Sequence, residues 1–508
     1  MRFAPLDLLI LGAYLAGSLA VGLWTARRAG RSEESFFLAG RQLPWWLAAA
    51  SLVATSFSID TPLGIGGLVG ANGVPGVWFA WCFALGGSGM LGYAFFAELW
   101  RRSGVLTDAA FVELRYGGRG AAPLRLFKAV YLGVLLNALT LAWILKAVMT
   151  LGTEVLGQPP LAVLAVVLAL TLVYCSAAGL WGVAFTDLPQ YVLALGITIV
   201  LAWRAVAAAG GLAGIQAALA LRPEGSSIAL GFMPPAGSEF FTTFLTYVLV
   251  LWWAHRNAAG SPVALQRFAA CRDEREARRA TLAFTIAMFA VTYWPMILLA
   301  LAGLARNPAL GGEQAVARLY YDGLPTGLLG LSMAALLAAF MSTVVSHMNL
   351  GAAYLVHDIV RRFLRSEASE RELVRWGRVA TGLMLVLAVA ISLTLDSVAG
   401  AWQLLAALTA GYGLVTIVRW FWWRVSAWSE IAALASSAAA VLGLHQLRPN
   451  LTFGAELLGV VAVSTPVWLA VTWLAPPPDP ATTAAFVERV RPWGRWPRRQ
   501  ATAPRGLG

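Results

Sequence analysis

Two hydrophobic segments of the chain are interrupted at matching places, the first by TPLGIGG at residues 61–67 and the second by AAGSP at residues 258–262. A helix broken inside a bilayer frees backbone carbonyl and amide groups that lipid does not satisfy, so a break persists only where protein or a polar cavity surrounds it. Paired breaks, in corresponding helices of two inverted halves, are typical of the solute site of a transporter.

The composition of the chain is that of a membrane protein. Hydrophobic residues make up 59% and charged residues 12% of the 508 residues, which is too apolar for soluble domains of that length. The three cysteines provide neither a disulfide framework nor a metal-ligand spacing. The net charge of +12 comes from short arginine clusters between hydrophobic runs. It therefore indicates membrane topology and not nucleic-acid binding.

About 13 apolar segments are plausible membrane spans, because a helix needs about 20 apolar residues to cross a bilayer. They begin near Leu8, Trp45, Val77, Ala129, Leu161, Tyr191, Phe240, Ala283, Leu328, Val379, Ala401, Val425 and Gly454. Basic clusters follow the first, third, seventh and ninth segments. The positive-inside rule then predicts a multi-pass protein of the plasma (inner) membrane, with its N-terminus outside and its C-terminus in the cytosol.

The order of the spans predicts an internal repeat. Without the first span, spans two to six and seven to eleven form two sets of five with opposite orientation. The expected fold class is therefore an all-α integral membrane protein with a five-plus-five inverted repeat and broken first and sixth core helices. We expect an extra N-terminal helix and cytosolic loop at residues 1–43, a transport core at 44–420, two additional helices at 421–475 and a mobile cytosolic tail at 476–508.

The second break places polar residues at bilayer depth. The apolar run from Phe240 to Ala254 rises only about 22 Å as a helix, which is short of the roughly 30 Å hydrocarbon core. A full crossing must therefore continue to Ala270, which puts Arg256 and Asn257 near its middle. Charged groups at that depth are functional candidates by default. The alternative is that Arg256 is the first basic residue of a cytosolic loop.

A group of small and hydroxyl residues lies in the ninth span. Ser342 and Thr343 follow the Ala339 carbonyl by one turn, and the carbonyls of Ala54 and Phe57 precede the first break. These five oxygens would make a neutral cage, and sodium, as a hard cation, takes oxygen ligands. Spacing alone favours another interpretation, in which the two hydroxyls bond to carbonyls one turn earlier and pack against a neighbouring helix.

Several motifs resemble those of the sodium:solute symporter family, in the order and spacing of that family. The matching stretches are GRQLPWW at 40–46 and ASLVATS at 50–56 for the first core helix, GLWGVAFTDLPQ at 179–190 for the fifth, GSP at 260–262 and QRF at 266–268 for the sixth, and AFMST at 339–343, Asn349 and HDI at 357–359 for the eighth. The ordered set is more specific than any one motif.

The resemblance implies a LeuT-type fold, sodium-driven uptake of a small organic solute, and alternating access around a site at the bilayer midplane. By motif position, sodium coordination falls on the backbone of Ala54, Phe57 and Ala339 and on the hydroxyls of Ser342 and Thr343. The resemblance also implies that Asp187 assists sodium release toward the cytosol, which is compatible with a capping role at the start of its span. Sodium is then the coupling ion, and no cofactor is expected.

The solute site is expected at the two breaks and on nearby tryptophans, namely at Asp60, Thr61, Trp81, Trp253, Arg256, Asn257 and Ser261. Some proline-type members of the family carry an Asp where this chain has Ser56, and the surroundings of Asn257 resemble the sugar-type members only loosely. If Asp60 and Arg256 both face the cavity, they would bind a zwitterion or pair with each other and leave a neutral site. An arginine alone favours a carboxylate.

Sodium-coupled import is the leading functional hypothesis, with the solute, sodium and the lipid bilayer as partners. Proton coupling on the same fold is the nearest alternative, because Asp60 or Asp187 could titrate. A membrane sensor built on a transporter core ranks lower, since the tail shows no signalling domain. An enzyme is not expected, because the sequence has no carboxylate pair, metal-ligand spacing or nucleophile-base arrangement and only 4 histidines.

Overall fold

The computed structural model describes residues 3–29, 38–105, 107–157, 159, 161–165, 168, 180–222, 228–448 and 450–497. Gly179 of the predicted fifth-helix motif, residues 30–37 of the predicted cytosolic loop and residues 498–508 of the tail lie outside these ranges. Within them the secondary structure is helical, and no β-strand is present. An apolar chain in lipid satisfies its backbone groups internally as a helix, which accounts for this architecture.

The helices of the first half of the chain are α1 (Pro5–Ala29), α2 (Trp45–Ser56), α3 (Asp60–Asn72), α4 (Trp78–Leu85), α5 (Ala97–Ser103), α6 (Ala110–Arg115), α7 (Gly118–Lys128), α8 (Leu136–Leu156), α9 (Leu180–Ala208) and α10 (Gly211–Ala220). Those of the second half are α11 (Glu239–Thr246), α12 (Trp252–Ala254), α13 (Pro262–Ala270), α14 (Glu274–Ile286), α15 (Tyr293–Arg306), α16 (Gly312–Leu319), α17 (Leu328–Ala353), α18 (Glu370–Ser392), α19 (Val398–Leu408), α20 (Gly413–Val418), α21 (Ala427–Leu447), α22 (Phe453–Leu474) and α23 (Pro480–Val490). Segments of π-helix continue or join several of them, namely Gly92–Phe96, Ala129–Leu135, Tyr247–Leu251, Ala287–Thr292 and Tyr354–Leu364.

Among the described residues, seven helices are long and apolar enough to cross a membrane, and the bent pair of α2 and α3 makes an eighth if it is one span. The seven are Gly118–Glu154, Ala184–Ala208, Glu274–Arg306, Leu328–Leu364, Arg375–Ser392, Ala427–Leu447 and Phe453–Leu474. The predicted span that begins near Leu161 lies mostly outside the described residues. Those that begin near Leu8, Val77, Phe240 and Ala401 are shorter apolar helices, so the total of about 13 stays a prediction.

Several helices begin before their apolar runs. The fourth span begins at Gly118 instead of near Ala129, and the eighth begins at Glu274 instead of near Ala283. The added turns carry charged side chains. In the fourth span Arg125 and Lys128 are buried and paired with carboxylates, which offsets the cost of burying their charge. Apolar length therefore underestimates the length of these helices.

The first break lies between α2 and α3, whose axes differ by 56°. The predicted position, residues 61–67, is wrong, because that stretch is helical inside α3. A proline ring clashes with the carbonyl four residues earlier, so Pro62 is tolerated only in a first turn. The Thr61 hydroxyl accepts a hydrogen bond from the Ser58 amide at 2.9 Å and donates one to the Ser56 carbonyl at 3.2 Å. The Thr61 side chain therefore hydrogen-bonds to backbone groups on both sides of the break and stabilises it.

The glycines of residues 61–67 allow close packing of α3. A Cβ atom at Gly66 would lie 2.6 Å from the carbonyl oxygen of Gly312, and one at Gly64 would lie 2.4 Å from the ring of Trp402. Those separations are far below van der Waals contact, so only glycine allows α16 and α19 to approach α3 this closely. The small residues that suggested a break are therefore packing residues.

The second break covers residues 255–261, between α12 and α13, and includes most of the predicted stretch. Ser261 is the N-cap of α13 and Pro262 occupies its first turn, the arrangement that a helix start favours. The indole of Trp100 donates a hydrogen bond to the freed carbonyl of Ala259 at 2.6 Å. Protein groups therefore satisfy backbone that lipid would leave unpaired.

The segment after α22 folds back onto the helices. Phe486 and Val490 of α23 are fully buried, and the Phe486 ring packs against Phe111 and Trp420 at centroid distances of 5.9 and 6.1 Å. The expectation of a mobile tail is therefore wrong for residues 479–497, because burial of these apolar rings offsets the entropy lost on docking.

Candidate functional site

A cavity of about 210 Å³ lies between the two breaks. Its walls come from the breaks themselves, from α2, α3, α4, α8, α13, α14, α15, α17 and α19, and from the π-helical segments Ala129–Leu135 and Ala287–Thr292. The cavity brings together five of the seven residues predicted for the solute site: Asp60, Thr61, Arg256, Asn257 and Ser261. Both breaks thus line one cavity, which is the geometry of a midplane binding site.

Trp81 and Trp253 lie away from this cavity. Trp81 packs between Phe232 and Trp294, with ring centroids 6.4 and 5.7 Å away. The Trp253 indole donates a hydrogen bond to the Leu249 carbonyl at 2.7 Å, on an exposed face of its own helix. The structure does not support a solute role for either tryptophan, because neither lines the cavity. The prediction failed because the sequence does not specify which face of a short half-helix points inward.

Asp60 is the first residue of α3 and is only 4% exposed. Its Oδ2 atom accepts a hydrogen bond from the Trp402 indole at 3.2 Å. Its Oδ1 atom has no hydrogen-bond partner among the described residues. A carboxylate is stabilised at a helix N-terminus, yet a buried acceptor without a partner is costly. The bare oxygen is therefore available to a donor that enters the cavity.

Arg256 lies inside the second break. Its Nη2 atom is 3.5 Å from the Thr140 hydroxyl, the limit of a hydrogen bond, and its Nε atom has no partner in the described part of the chain. Within that part no ion pair joins Arg256 to Asp60. Arg256 lines the cavity, which favours the interpretation of Arg256 as a site residue over that of a loop anchor.

Polar residues of α8 complete the lining. Asn137 and Thr140 face the cavity from this helix. The Asn137 amide donates to the His347 carbonyl at 2.8 Å, and its oxygen lies 2.7 Å from Nδ1 of His347. Sequence reasoning missed both residues of α8. Their spacing of three, continued by Trp143, was the available signal, because residues three apart share a helix face.

Part of the remaining wall is apolar and aromatic. Phe79, Phe83, Phe284, Met288 and Leu405 line it. These side chains come from helices on more than one side of the cavity. A ligand is therefore in contact with charged and amide groups at the breaks, with hydroxyl groups such as those of Thr55, Ser56 and Ser88, and with hydrocarbon.

The break in α2 exposes two backbone carbonyls. In a continuous helix the Ser58 amide would bond to the Ala54 carbonyl, but it bonds to the Thr61 hydroxyl instead. The Thr61 amide, which would bond to the Phe57 carbonyl, bonds to the Ser58 carbonyl at 3.0 Å. Ala54 and Phe57 therefore lose their helical partners, and their oxygens are acceptors for another group.

The hydroxyls of α17 meet this end of α2. Thr343 donates to the carbonyl oxygens of Thr55 and Ala339, each at 3.2 Å. The Ser342 hydroxyl lies 2.5 Å from a carboxylate oxygen of Asp187. Ser342 and Thr343 are both buried. The chemistry of this group of hydroxyl and carbonyl oxygens fits a hard monovalent cation.

Asp187 is fully buried and lies more than one turn inside α9. The expected role as an N-terminal cap is therefore wrong. Its carboxylate also accepts a hydrogen bond from the Ser51 hydroxyl at 2.5 Å. The Arg267 guanidinium donates to Ser51 at 3.3 Å and to Ser346 at 3.0 Å. The Asp187 carboxylate and the Arg267 guanidinium thus each contact a hydroxyl group of α17, Asp187 through Ser342 and Arg267 through Ser346.

The sodium:solute symporter family model matches residues 36–435. The chain belongs to the sodium:solute symporter family. It is therefore an integral multi-pass membrane protein that couples sodium to the movement of a small solute. The core of this symporter includes both breaks and the described oxygens of α2 and α17.

Relatives of this symporter are similar over most of the chain. A sodium/glucose cotransporter of Vibrio parahaemolyticus is 26% identical over 488 residues, which cover 89% of this chain and 87% of that protein. A sodium/mannose cotransporter of Bos taurus, SLC5A10, is 27% identical, with coverage of 77% and 69%. Sodium/myo-inositol cotransporter 2 of Rattus norvegicus is 29% identical, with coverage of 74% and 59%.

The fold of this symporter is similar to a solved structure. A Na⁺-coupled sialic acid symporter, in a substrate-bound outward-open state, aligns over 94% of this chain and 99% of that chain with a TM-score of 0.76 and 18% identity. At that identity the likeness concerns the fold alone. The symporter therefore has the LeuT-type fold that its breaks and motifs predicted.

Proposed function

We propose that this symporter imports its solute by holding it in the cavity between the two breaks while sodium binds between α2 and α17. The proposed sodium ligands are the carbonyls of Ala54, Phe57 and Ala339 and the hydroxyls of Ser342 and Thr343. The observation that carries this proposal is the pair of carbonyls that the break frees at the end of α2, where the Thr343 hydroxyl of α17 contacts the Thr55 carbonyl. Sodium takes such neutral oxygen donors readily.

This arrangement gives sodium a mechanical role. The ligands divide between α2 and α17, so a bound ion holds the two helices together and its departure releases them. Asp187, one hydroxyl away, attracts the ion electrostatically and is the proposed route for its release. The solute and the ion then raise each other's affinity by the same factor, which is the basis of coupled transport.

We propose the orientation that the arginine clusters favour, with the N-terminus outside and α23 in the cytosol. In this orientation α2 and α13 form the cytosolic halves of the broken helices, and α3 and α11–α12 form the outer halves. The core then occupies residues 44–420, with α1 before it and α21 and α22 after it.

The test of sodium binding needs no knowledge of the solute. Thermal stability of the purified protein is measured in sodium, potassium and choline chloride at equal ionic strength. Sodium at ten times its dissociation constant should stabilise the folded state by about 1.4 kcal/mol through mass action. Ser342→Ala and Thr343→Ala should each reduce this sodium-specific gain.

A matched control is Ser332→Ala on the same helix. This buried hydroxyl donates to the Tyr320 carbonyl at 2.9 Å and is outside the proposed ligand set. The control should retain the sodium response of the unaltered protein. Equal stability in all three salts, or an unchanged response in both Ser342→Ala and Thr343→Ala, would refute the site and favour proton coupling.

A further inference from the structure

The solute cavity contains two opposite charges that do not neutralise each other. Asp60 has one carboxylate oxygen without a partner, and Arg256 has an unpartnered Nε, in the described part of the chain. No ion pair joins the two there. A buried charge without a counter-charge is strongly unfavourable. Arg256 is partly buried and the nearby Asp108 carboxylate is already paired with Lys128. The unpartnered atoms of Asp60 and Arg256 are therefore best explained by a ligand that pairs with both.

We propose that the solute is a zwitterion with an apolar body, of the amino-acid or betaine class, whose cationic nitrogen faces Asp60 and whose carboxylate faces Arg256. This inference rests on the proposed function and names the substrate class of the same cavity. It differs from the sugars and inositols named for the relatives.

A purely structural reading accounts for the signs of the two charges. Asp60 lies at the N-terminus of α3 and Arg256 follows the C-terminus of α12. A negative charge at an N-terminus and a positive charge at a C-terminus are each stabilised by the helix dipole. That reading does not account for their unpartnered atoms. A neutral side chain satisfies the end of another half-helix. At the start of α13 the Ser261 hydroxyl accepts a hydrogen bond from the Ala264 amide at 3.1 Å.

The surroundings of the two charges match the two ends of a zwitterion. Trp143, Tyr293 and Trp402 line the cavity on the Asp60 side. Their aromatic rings would attract the cationic nitrogen through cation–π interactions, in addition to its ion pair with the Asp60 carboxylate. Arg256 presents a planar fork of N–H donors, which suits the two oxygens of a carboxylate.

The apolar part of the wall favours a ligand with a hydrocarbon group. A sugar carries hydroxyl groups around its whole ring, and each of them needs a hydrogen-bond partner when it is buried. Phe79, Phe83, Phe284, Met288 and Leu405 offer none. A zwitterion confines its polar atoms to one end and leaves a hydrocarbon group to contact these side chains, which is favourable by burial of apolar area.

The first experiment is a thermal-stability screen of the full-length protein in saturating sodium. The probes are the twenty L-amino acids, glycine betaine, D-galactose and myo-inositol, and potassium replaces sodium as the control. At least one zwitterion should raise the melting temperature in sodium only. Currents on a solid-supported membrane, with the protein in liposomes under a sodium gradient, should rise when the same compound is added.

The second experiment removes one charge from the ligand at a time. If L-leucine is the best probe, 4-methylpentanoate lacks its amine and 3-methylbutylamine lacks its carboxylate. Each analogue should bind about tenfold or more weakly, the equivalent of at least about 1.4 kcal/mol. Asp60→Asn should reduce the difference in affinity between L-leucine and 4-methylpentanoate. Arg256→Gln should reduce the difference in affinity between L-leucine and 3-methylbutylamine.

Trp81→Phe is the matched control, because Trp81 lies outside the cavity, and it should keep the affinities of the unaltered protein. The class is overturned if galactose or myo-inositol is the stabilising probe, if none of the zwitterions stabilises the protein, or if Asp60→Asn and Arg256→Gln behave like Trp81→Phe. A sodium response without a zwitterion response refutes the substrate class and leaves sodium coupling intact. Loss of the sodium response itself refutes the proposed function instead.

Discussion

The Asp187 carboxylate provides the most quantitative test of the proposed sodium site. Ser342 connects the two, since its hydroxyl lies 2.5 Å from the carboxylate. A hard cation lies about 2.4 Å from such an oxygen, so sodium would be about 4–5 Å from Asp187. With an effective dielectric constant of about 20, unit charges at that separation attract by about 3–4 kcal/mol. The Arg267 guanidinium, which bonds to Ser51 on the other side of the carboxylate, repels the ion.

Asp187→Asn removes the attraction and leaves the repulsion. After relaxation of the site, we expect sodium to bind about 10- to 100-fold more weakly, equivalent to about 1.4–2.8 kcal/mol. The assay is the dependence of melting temperature on sodium concentration, with choline chloride holding ionic strength constant. Asp187→Asn combined with Arg267→Gln should recover part of the loss, because the uncompensated cation is then also removed.

The control for this experiment is Glu313→Gln, which alters another buried carboxylate. Glu313 accepts the backbone amides of Val398 and Ala399 at the start of α19 and does not touch the α17 hydroxyls. This variant should be less stable than the unaltered protein, with sodium affinity maintained. A dissociation constant for Asp187→Asn within threefold of the unaltered value, or a loss equal to that of Glu313→Gln, would refute the electrostatic reasoning.

Three further predictions concern the scaffold. Gly66→Ala should destabilise the protein by about 1–3 kcal/mol through overpacking, because the added Cβ would lie 2.6 Å from the Gly312 carbonyl oxygen. Gly196→Ala is the control. A Cβ at Gly196 meets open space, so this variant should leave the melting temperature unchanged or raise it. Phe486→Ala should expose the C-terminal segment to limited proteolysis at a protease concentration that leaves the unaltered protein intact; equal cleavage of both would contradict the docked arrangement. Burial raises the pKa of Glu113, but its two arginine partners outweigh burial and hold this pKa below its ordinary value. Its ion pairs should therefore stabilise the fold at neutral pH and be lost on acidification, and Glu113→Gln should flatten that part of the melting-temperature profile.

The sequence was most informative about features that depend on the membrane itself. Apolar length and paired breaks predicted a helical transporter, because lipid tolerates few other arrangements of the backbone. It was less informative about position within a helix. The stretch at 61–67 was interpreted as the first break, yet Pro62 requires only that a helix begins just before it, and the neighbouring glycines allow contact with α16 and α19.

The solute cavity was predictable where breaks define it and not elsewhere. Asp60 and Arg256 were found because a charge at bilayer depth is unusual. Asn137 and Thr140 are neutral polar residues in a long helix. Their spacing places them on one face, but such residues in a membrane helix commonly pack against a neighbouring helix, so the spacing alone did not identify a cavity. Trp253 is the opposite error, since it lies beside the break along the chain and points away from the cavity.

The two carbonyls freed by the first break bear on how such a protein can evolve. A backbone oxygen is the same in every residue, so substitutions at Ala54 or Phe57 change the size of a side chain and leave the oxygen in place. A mutational scan of those positions would consequently report on packing alone. The side chain that controls this oxygen is instead that of Thr61, whose hydroxyl accepts the hydrogen bond of the Ser58 amide and thereby leaves the Ala54 carbonyl without its helical partner. Drift at residues 54 and 57 is therefore compatible with an unchanged ion preference.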